Sequence, residues 1–594
     1  MKYLLTGVAA VAMLTGCAKK DKPGSADAPA GIVFSQEKIP EYTVHKGDSA
    51  TASQALDAFS LGTSGSGRLT WASKDVKGDT ATFTDVVIKG DPEEEDEGGM
   101  SEADDSLDLD GADVRVKKLQ LQGLAMQDGQ ASFSRLMMDD VSLVPQDPEE
   151  AKNGSGTIGS IELVNPSPET AAWVAGMFGE GEEVEMPEGK ALSFDHWAVK
   201  DVDFQIHEEE GDQGEFTLGE VVVTHLQDEK ASLMKVSKFN FDLIEAESGN
   251  KMKMTLGNFE IRGADLQTLD EARDEAADPT DVKGMMKLSS QDPANPGYES
   301  VALNGFSMDM AGVKLDVPKL ASAVGRNKAG TVVAVKTDPF KVTLATGEGE
   351  LGEQLAGPLA MMGYETVELS GAGYQTYEPA TDVTTYVKGQ NYWEVGSQPR
   401  ARADDTRTRE ELLARAKQLG LTVGDKISDA DLQAQVAKRE AGGFKVDLAM
   451  KFAGARAMMV ASEQQNLDAQ NPAAALNSTI DNMILHNFEL SFDDDGFVDR
   501  AFNAYATMNG EDPKVVRNQA AGLLAMAPLM AASTGIDAEL IGEATSALSS
   551  FISDPKTLTI KLAPKEPVSV AALADLEDPA ELTKEKLGFA ASNK

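Results

Sequence analysis

The stretch Phe216-Thr217-Leu218-Gly219-Glu220-Val221-Val222-Val223 contains the pattern that decides the fold. Its first and third residues are apolar with a polar residue between them, which is typical of a strand with one buried face. After two residues the alternation resumes one position out of phase, at Val221. In a regular strand the second apolar pair would lie on the opposite face, so a bulge is expected at Gly219-Glu220. The stretch therefore predicts a bent strand.

Near-copies of this unit recur along the chain. They occupy residues 81–88, 114–121, 131–138, 157–163, 192–199, 216–223, 231–236, 254–261 and 301–308. Glycine or asparagine again stands at the step in Gly257-Asn258 and Asn304-Gly305, where we expect further bulges. The spacing of the copies is too irregular for a propeller or a solenoid. We predict an α+β, mainly β fold: a long curved antiparallel sheet with short lid helices and a C-terminal helical subdomain.

Helix signals interrupt the strand pattern. Ser167 and Pro168 predict the start of a lid helix that ends near Gly179, and Val317 to Gly325 resembles a second strand-to-helix turn. A charged surface hairpin is expected with arms Thr406–Leu421 and Ser428–Ala441. Three C-terminal helices are predicted over residues 496–509, 513–533 and 537–553, followed by a strand over 558–562. Their apolar residues, which we expect to be packed inside, are Leu523, Leu524, Met526, Leu529, Leu540, Ile541 and Leu548.

These patterns divide the chain into six ranges. They are 1–16, a signal peptide; 17–35, a modified cysteine and flexible tether; 36–400, the repeated-strand β domain; 401–442, a helical hairpin insertion; 443–565, C-terminal strands with a helical bundle; and 566–594, a polar tail.

Cys17 is the only cysteine in the 594 residues. A basic residue and an apolar run, Leu4 to Leu14, precede it, and the small pair Thr15-Gly16 stands directly before it. This arrangement is typical of a secretory signal, and the run is shorter than the ~20 residues of a membrane-spanning helix.

The segment Leu14-Thr15-Gly16-Cys17 resembles the lipobox of bacterial lipoproteins. The resemblance implies lipidation of Cys17 and cleavage before it, so the expected partner is a membrane, held through the N-terminal lipid. Ala18 follows the cysteine, where aspartate marks inner-membrane retention in enterobacterial lipoproteins. We therefore expect the cell envelope, at the outer membrane facing the periplasm.

The composition excludes several classes of function. The formal net charge is −44, which disfavours binding to nucleic acid. With a single cysteine the chain lacks internal disulfides and thiolate metal sites. Acidic runs over residues 93–97, 180–185 and 208–210 are interpreted as solvated loops, with loose cation binding as the lesser alternative.

Motifs for catalysis are weak. Gly154-Ser-Gly156-Thr-Ile-Gly159 precedes a strand, and Gly347-Glu-Gly349-Glu-Leu-Gly352 carries acids where a pyrophosphate would lie, so turn glycines explain both. His196 and His225 are interpreted as satisfied sheet residues. The acidic segment ending at Asp495-Gly496 lacks the closing glutamate of an EF-hand. We predict no enzyme activity, no cofactor, no metal and no catalytic residues.

The bent strands resemble those of AsmA-like envelope proteins, most clearly over residues 216–223, 254–261 and 301–308. In that group a long curved sheet presents an apolar groove, so the resemblance implies lipid binding or transport. Two hypotheses remain open. The first is a structural, assembly or protein-interaction role in the envelope, with another envelope protein as partner. The second is an AsmA-like role, with phospholipid bound in an apolar groove.

Overall fold

A computed structural model gives the coordinates of the chain. It describes residues 31–34, 38–90, 112–146, 154–179, 186–207, 213–244, 251–268, 293–361, 364–396, 407–456, 482–531, 535–574 and 579–594, apart from positions 66, 128, 177, 348, 365, 419, 420, 422, 425 and 426. About half of the chain lies in strands and a quarter in helices, which confirms the mainly β, α+β prediction.

The chain forms two compact units. The N-terminal unit comprises residues 36–269 and 297–311, and the C-terminal unit is centred on residues 312–594. The boundary near residue 311 lies inside the range 36–400 that the sequence patterns assign to one β domain.

The N-terminal unit contains thirteen strands and two helices described here. The strands are Leu69–Thr70 (β1), Ser73–Lys77 (β2), Thr80–Ile88 (β3), Ala112–Gln122 (β4), Ala125–Gln127 (β5), Gln130–Ser132 (β6), Arg135–Pro145 (β7), Gly154–Val164 (β8), Phe194–His207 (β9), Gln213–Gln227 (β10), Lys230–Ile244 (β11), Lys251–Asp265 (β12) and Ser300–Met310 (β13). The helices are Ala52–Ala58 (α1) and Pro168–Gly176 (α2).

Ten of these strands form one antiparallel ladder in the order β2-β3-β4-β7-β8-β9-β10-β11-β12-β13. Strand β1 also pairs with β3, and β5 and β6 form a separate hairpin. Eight of the nine repeated units fall on strands of this ladder, and the unit over residues 131–138 is divided between β6 and β7. The predicted continuous antiparallel sheet is confirmed.

A transverse crease crosses nine strands of the ladder. In β3 and β4, Thr84 pairs with Lys118 and Val86 with Val116, so Asp85 lies opposite Lys117 without a ladder pair of its own. The same register places one such residue on each following strand. The crease, from β3 to β13, is Asp85, Lys117, Asp140, Gly159, Asp201, Gly219, Lys238, Gly257 and Gly305.

The backbone turns left-handed at the crease on alternate strands. φ is 48° at Asp85, 53° at Asp140, 52° at Asp201, 53° at Lys238 and 66° at Gly305. Each of these residues lies beside a crease residue in which φ is not positive. The strand phase therefore breaks at one row across nine strands, with a left-handed residue on five of them.

The expected bulges at Gly219-Glu220, Gly257-Asn258 and Asn304-Gly305 are wrong. A bulge adds a residue to one strand and shifts its register against the neighbour, but the register is the same on both sides of the crease. Because all nine strands change phase at the same row, none needs an extra residue to keep its register with its neighbours. The phase step itself is confirmed on β3, where Ala81 and Phe83 are buried on one side of the crease and Val86 and Ile88 on the other.

Glycines at the crease make room for their left-handed neighbours. A Cβ on Gly219 would lie 2.9 Å from the Cβ of Lys238, and a Cβ on Gly159 would lie 2.9 Å from the Cβ of Asp201. Distances this short require the neighbour to move. Gly159 and Gly219 are therefore explained by close approach across the crease, whereas Gly305 is itself left-handed.

We expect substitutions at Lys238 to separate backbone strain from side-chain loss. Valine at a left-handed position is an outlier, so Lys238→Val should lower the free energy of unfolding by about 1–2 kcal/mol. Lys238→Gly should be neutral or stabilising by up to about 1 kcal/mol, because the strain is relieved. Urea denaturation measures both variants.

Ser237→Val, next to the crease on the same strand, is the matched control for Lys238→Val. It should have the smaller effect, since Ser237 pairs regularly with Glu220. Equal stability of the valine and glycine variants at position 238 would contradict the left-handed geometry.

Four rows of residues flank the crease and share one face of the sheet, here called the apolar face. From β3 to β13, the first row is Ala81, Leu121, Leu136, Leu163, Trp197, Val223, Met234, Ile261 and Val301. The second row is Phe83, Leu119, Met138, Ile161, Val199, Val221, Val236, Phe259 and Leu303.

Beyond the crease the face continues with two more rows. The third row is Val86, Val116, Val141, Ile158, Val202, Leu218, Phe239, Leu256 and Phe306. The fourth row is Ile88, Val114, Leu143, Gly156, Phe204, Phe216, Phe241, Met254 and Met308. None of these positions carries a polar side chain, so the phase step keeps one face apolar from end to end.

The C-terminal unit contains the remaining elements. Its strands are Val313–Arg326 (β14), Val332–Thr346 (β15), Thr366–Glu378 (β16), Val383–Tyr386 (β17), Tyr392–Gly396 (β18), Gly443–Ala453 (β19), Ile484–Asp495 (β20), Thr557–Leu562 (β21), Val568–Ser569 (β22) and Ala590–Asn593 (β23). Its helices are Glu350–Met361 (α3), Arg409–Gln418 (α4), Asp429–Ala441 (α5), Phe497–Asn509 (α6), Pro513–Ala531 (α7), Ala538–Ser553 (α8), Val570–Ala574 (α9) and Lys584–Leu587 (α10).

The strands of the C-terminal unit are also antiparallel. The ladder runs β14-β15-β16; β16 then pairs with β17 and β18, which both pair with β19. Strand β20 follows, pairing with β21 and β22, and β23 pairs with β21. Residues 566–594, expected as a polar tail, therefore supply two strands of this sheet, β22 and β23.

Three expectations for helices have different outcomes. The lid helix after Ser167 is confirmed as α2, and the Ser167 hydroxyl accepts a hydrogen bond from the Thr170 N–H at 3.1 Å. The hairpin is confirmed as α4 and α5, with Ser428 capping α5. The strand-to-helix turn over Val317 to Gly325 is wrong, since these residues belong to β14.

Candidate functional site

The predicted lipidation site, Cys17, lies outside the described residues, as do the acidic runs over residues 93–97, 180–185 and 208–210. The three G-x-G-x-x-G glycines at 154, 156 and 159 lie within β8. Their interpretation as turn glycines before a strand is therefore wrong, since they belong to the strand itself. Within the described part of the chain, no three histidine, cysteine or acidic side chains are grouped to hold a metal ion.

The apolar face is closed over its first strands. Phe83, Leu119 and Leu121 are fully buried and belong to one core with Ala55 and Leu56 of helix α1. Helix α2 contributes further buried residues to the same core. This end of the face is therefore a dry hydrophobic core.

On strands β9 to β13 the same face is only partly covered. The third-row residues there are 3–7% exposed and form a buried floor. The fourth-row residues beside them are half-buried; they are Phe204, Phe216, Phe241, Met254 and Met308. Phenylalanine and methionine are large, and the thioether is adaptable, so this row presents apolar surface of variable shape.

Aromatic contacts order part of this region. The ring of Phe216 lies 6.1 Å from the ring of Phe204 on β9 and 5.5 Å from that of Phe239 on β11, measured between ring centres. The second pair meets edge to face, the favoured geometry for aromatic pairs. These ring contacts thus connect the apolar side chains of three adjacent strands, β9, β10 and β11.

The opposite face of β7 to β12 is polar and ion-paired. Glu220 on β10 receives a hydrogen bond from Lys235 at 2.7 Å and lies 3.6 Å from Lys200 on β9. The bond from Lys235 lowers the pKa of Glu220. Arg135 and Glu162 form another pair at 2.7 Å.

A segment that no sequence pattern indicated lies across this polar face. We call Lys38–Asp48 the strap, because it crosses the strands from β11 towards β3. The carbonyl of Thr43 accepts a hydrogen bond from the Asn165 amide at 2.9 Å, and the His45 N–H donates to the same amide group at 3.2 Å. The Gly47 N–H donates to Asp79 at 2.9 Å.

An aromatic stack holds the other part of the strap. The Tyr42 ring lies parallel to the imidazole of His196, with 4.8 Å between ring centres. Burial lowers the pKa of His196, and burial beside Glu162 raises the pKa of the Tyr42 hydroxyl. At neutral pH the stack is therefore formed by two uncharged rings.

A cleft of about 560 Å³ lies beside the strap within the N-terminal unit. It is lined by Ile39, Pro40, Glu41, Tyr42, His196, Glu220, Val222, Thr224, Leu233 and Lys235. Apolar side chains and one ion pair thus meet in the same opening, which fits an amphipathic group rather than a bare ion.

The interpretation of His196 and His225 as satisfied sheet residues is confirmed. His196 stacks on Tyr42, and its Nδ1 lies 3.5 Å from the Thr224 hydroxyl. His225 Nδ1 lies 3.2 Å from an Asp195 carboxylate oxygen.

In the C-terminal unit, Asp494 is the centre of a buried charge cluster. Its fully buried carboxylate accepts hydrogen bonds from Arg439 at 2.9 Å and from the N–H groups of Gly496 and Val498 at 2.9 and 2.8 Å. Arg439 also lies 3.3 Å from Asp499. The EF-hand-like acids are therefore used here to cap helix α6 and to hold the end of helix α5.

An apolar patch on helices α6 and α7 is exposed. Its members are Tyr505, Met508, Val515, Leu523 and Met526, each at least half exposed. The expectation that Leu523 and Met526 pack inside is wrong, since helix α7 turns Val516 and Ala521 inwards instead. Only one stripe of a helix that is apolar on several sides reaches the core.

Comparison with known proteins gives little beyond these observations. Residues 439–594 match a family model described only as an uncharacterized protein. The match begins at Arg439 and takes in strands β19 to β23 with helices α6 to α10. No curated protein matches the chain. Among the described residues, no helix is long and apolar enough to span a membrane.

Proposed function

We propose that this protein is a lipid-anchored protein of the cell envelope that binds acyl chains on the apolar face of its N-terminal unit. The observation that carries the proposal is the half-buried fourth row over the buried third row on strands β9 to β13. Apolar surface of this kind, uninterrupted by polar side chains, marks a binding site rather than a solvated face.

The dimensions suit a lipid tail. Five adjacent strands span about 19 Å across the sheet, at about 4.8 Å between strands. One leaflet of a membrane contributes about 15 Å of hydrocarbon, half of the ~30 Å core. An acyl chain laid along the crease direction would thus contact each of the five strands.

The anchor is the second part of the proposal. Cys17 would carry the lipid, the chain would face the periplasm from the outer membrane, and phospholipid or a free fatty acid would be the ligand. The AsmA-like resemblance of residues 216–223, 254–261 and 301–308 supports the same ligand class. We assign the protein no catalytic residue and no cofactor.

A structural or assembly role is the second candidate, and the exposed patch on helices α6 and α7 favours it. Leu523 is 70% exposed and Met508 is 72% exposed. Large side chains at this exposure are typical of surfaces that another protein covers. In this role another envelope protein would bind the C-terminal unit.

Native mass spectrometry of residues 18–594, purified without detergent, tests the first proposal. We expect a bound mass equal to a phospholipid or fatty acid. Phe241→Glu, which charges the fourth row, should lose that mass. The control Asn240→Glu lies on the polar face of the same strand and should keep it. Ligand-free spectra for the unsubstituted chain would contradict acyl-chain binding and leave the assembly role.

A further inference from the structure

We propose that the surface beneath the strap is a groove that binds an extended peptide with an aromatic side chain. The strap occupies this groove in the free chain, and the peptide displaces it. The groove lies on the polar face of β8 to β11, so it is separate from the proposed acyl-chain site. The strap shows what chemistry this surface recognises, because one extended segment is already bound there.

Asn165 recognises the backbone of the occupant. Its amide nitrogen donates to the Thr43 carbonyl and its amide oxygen accepts from the His45 N–H, at 2.9 and 3.2 Å. The amide nitrogen also donates to Asp195 at 2.6 Å, which fixes the orientation of the group. These bonds involve only main-chain atoms of the strap, so they suit any extended segment.

His196 recognises an aromatic side chain. The Tyr42 ring stacks on the imidazole, which the Thr224 hydroxyl holds from β10. Because burial lowers the pKa of His196, the ring is uncharged at neutral pH and accepts a parallel aromatic partner. The occupant therefore needs an aromatic residue next to the segment that Asn165 binds.

The strap leaves part of the groove unfilled. The 560 Å³ cleft lies between Ile39–Tyr42 and strands β9 to β11, with Val222 and Leu233 among its lining residues. The Tyr42 and Val44 side chains are 37% and 39% exposed. A segment with larger apolar side chains before its aromatic residue would bury more surface here than the strap does.

A glycine contact limits one end of the groove. A Cβ on Gly47 would lie 2.3 Å from the Gly123 backbone carbon. A side chain at position 47 therefore prevents the strap from seating without altering the groove residues. Gly47→Val together with Tyr42→Ser gives a strap-released chain that keeps Asn165 and His196.

The experiment measures binding of a fluorescent peptide with the sequence of residues 38–46 to the full mature chain. By fluorescence anisotropy, the strap-released chain should bind the peptide at least tenfold more tightly than the unsubstituted chain, whose groove is occupied. A peptide with serine in place of its tyrosine should bind at least tenfold more weakly. Adding His196→Ala to the released chain should have the same effect.

Far-UV circular dichroism establishes that each variant is folded, and Gly47→Val alone is a milder release if the double variant unfolds. A folded released chain that does not bind the peptide would overturn the proposal. Binding that is insensitive to the tyrosine or to His196 would also overturn it, since the peptide would then occupy another surface.

Discussion

Asp494→Ala should lower the free energy of unfolding of the C-terminal unit by about 3–5 kcal/mol, the usual cost of breaking a buried ion pair from one side. The substitution leaves Arg439, whose side chain is 16% exposed, without its bond to the carboxylate. It also removes the acceptor of the Gly496 and Val498 N–H groups at the start of helix α6. Urea unfolding followed by Trp393 fluorescence, in a chain whose other three tryptophans are replaced by phenylalanine, measures the change.

Asp429→Ala is the matched control for Asp494→Ala. Asp429 also pairs with an arginine, Arg409, but its side chain is 70% exposed. Water solvates both partners, so the loss should be below about 1 kcal/mol. Similar losses in the two variants would contradict the assignment of Asp494 as a buried structural centre.

Cys17→Ser should move the protein from the membrane fraction to the soluble fraction. If the lipobox is used, Cys17 carries all of the lipid, and each buried CH₂ of its chains contributes about 0.8 kcal/mol of membrane binding. Fractionation at high salt, followed by immunoblotting, measures the distribution.

Ala18→Ser is the control for Cys17→Ser and should remain in the membrane fraction. The lipoprotein resemblance further implies that Ala18→Asp shifts the protein towards the inner membrane. Retention of Cys17→Ser in membranes at high salt would contradict the anchor.

The sequence was informative where the signal was local. The apolar rows of β3, β10 and β12 could be read from each strand because the phase step is contained in eight residues. The crease could not be predicted from any single strand, because it requires nine strands to change the phase of their apolar alternation at the same row. The sequence of one strand alone is equally consistent with a bulge, and only the register between neighbouring strands distinguishes a bulge from the crease.

The error over Val317 to Gly325 has a similar origin. Val317, Leu320 and Val324 are buried at intervals of three and four, which is the spacing of a helix. The structure produces that spacing by interrupting the ladder of β14 and β15 between Asp316 and Ser322. An irregular strand and a short helix are thus indistinguishable by periodicity here.

The strap and its contacts gave no sequence signal. Residues 38–48 show neither the helical nor the strand periodicity of apolar residues, and Asn165 is a single polar residue before a helix start. Asn165, which directly follows β8 and has a φ of 48°, contacts strap residues that are 120 and 122 positions away in the sequence. Such long-range contacts are visible only once the strands are paired.

Quenching of the Phe216→Trp variant by a brominated fatty acid tests the acyl-chain site most directly. Phe216 lies in the fourth row of the apolar face on β10 and is half-buried, whereas Trp197 packs against the closed core. The measurement uses a chain in which the four original tryptophans, Trp71, Trp173, Trp197 and Trp393, are replaced by phenylalanine.

Saturable quenching of the Phe216→Trp variant at about one fatty acid per chain is the result we predict. A companion chain that keeps only Trp393, in the C-terminal unit, should not be quenched at the same concentrations. Absence of quenching at position 216, or equal quenching at positions 216 and 393, would contradict acyl-chain binding on the apolar face.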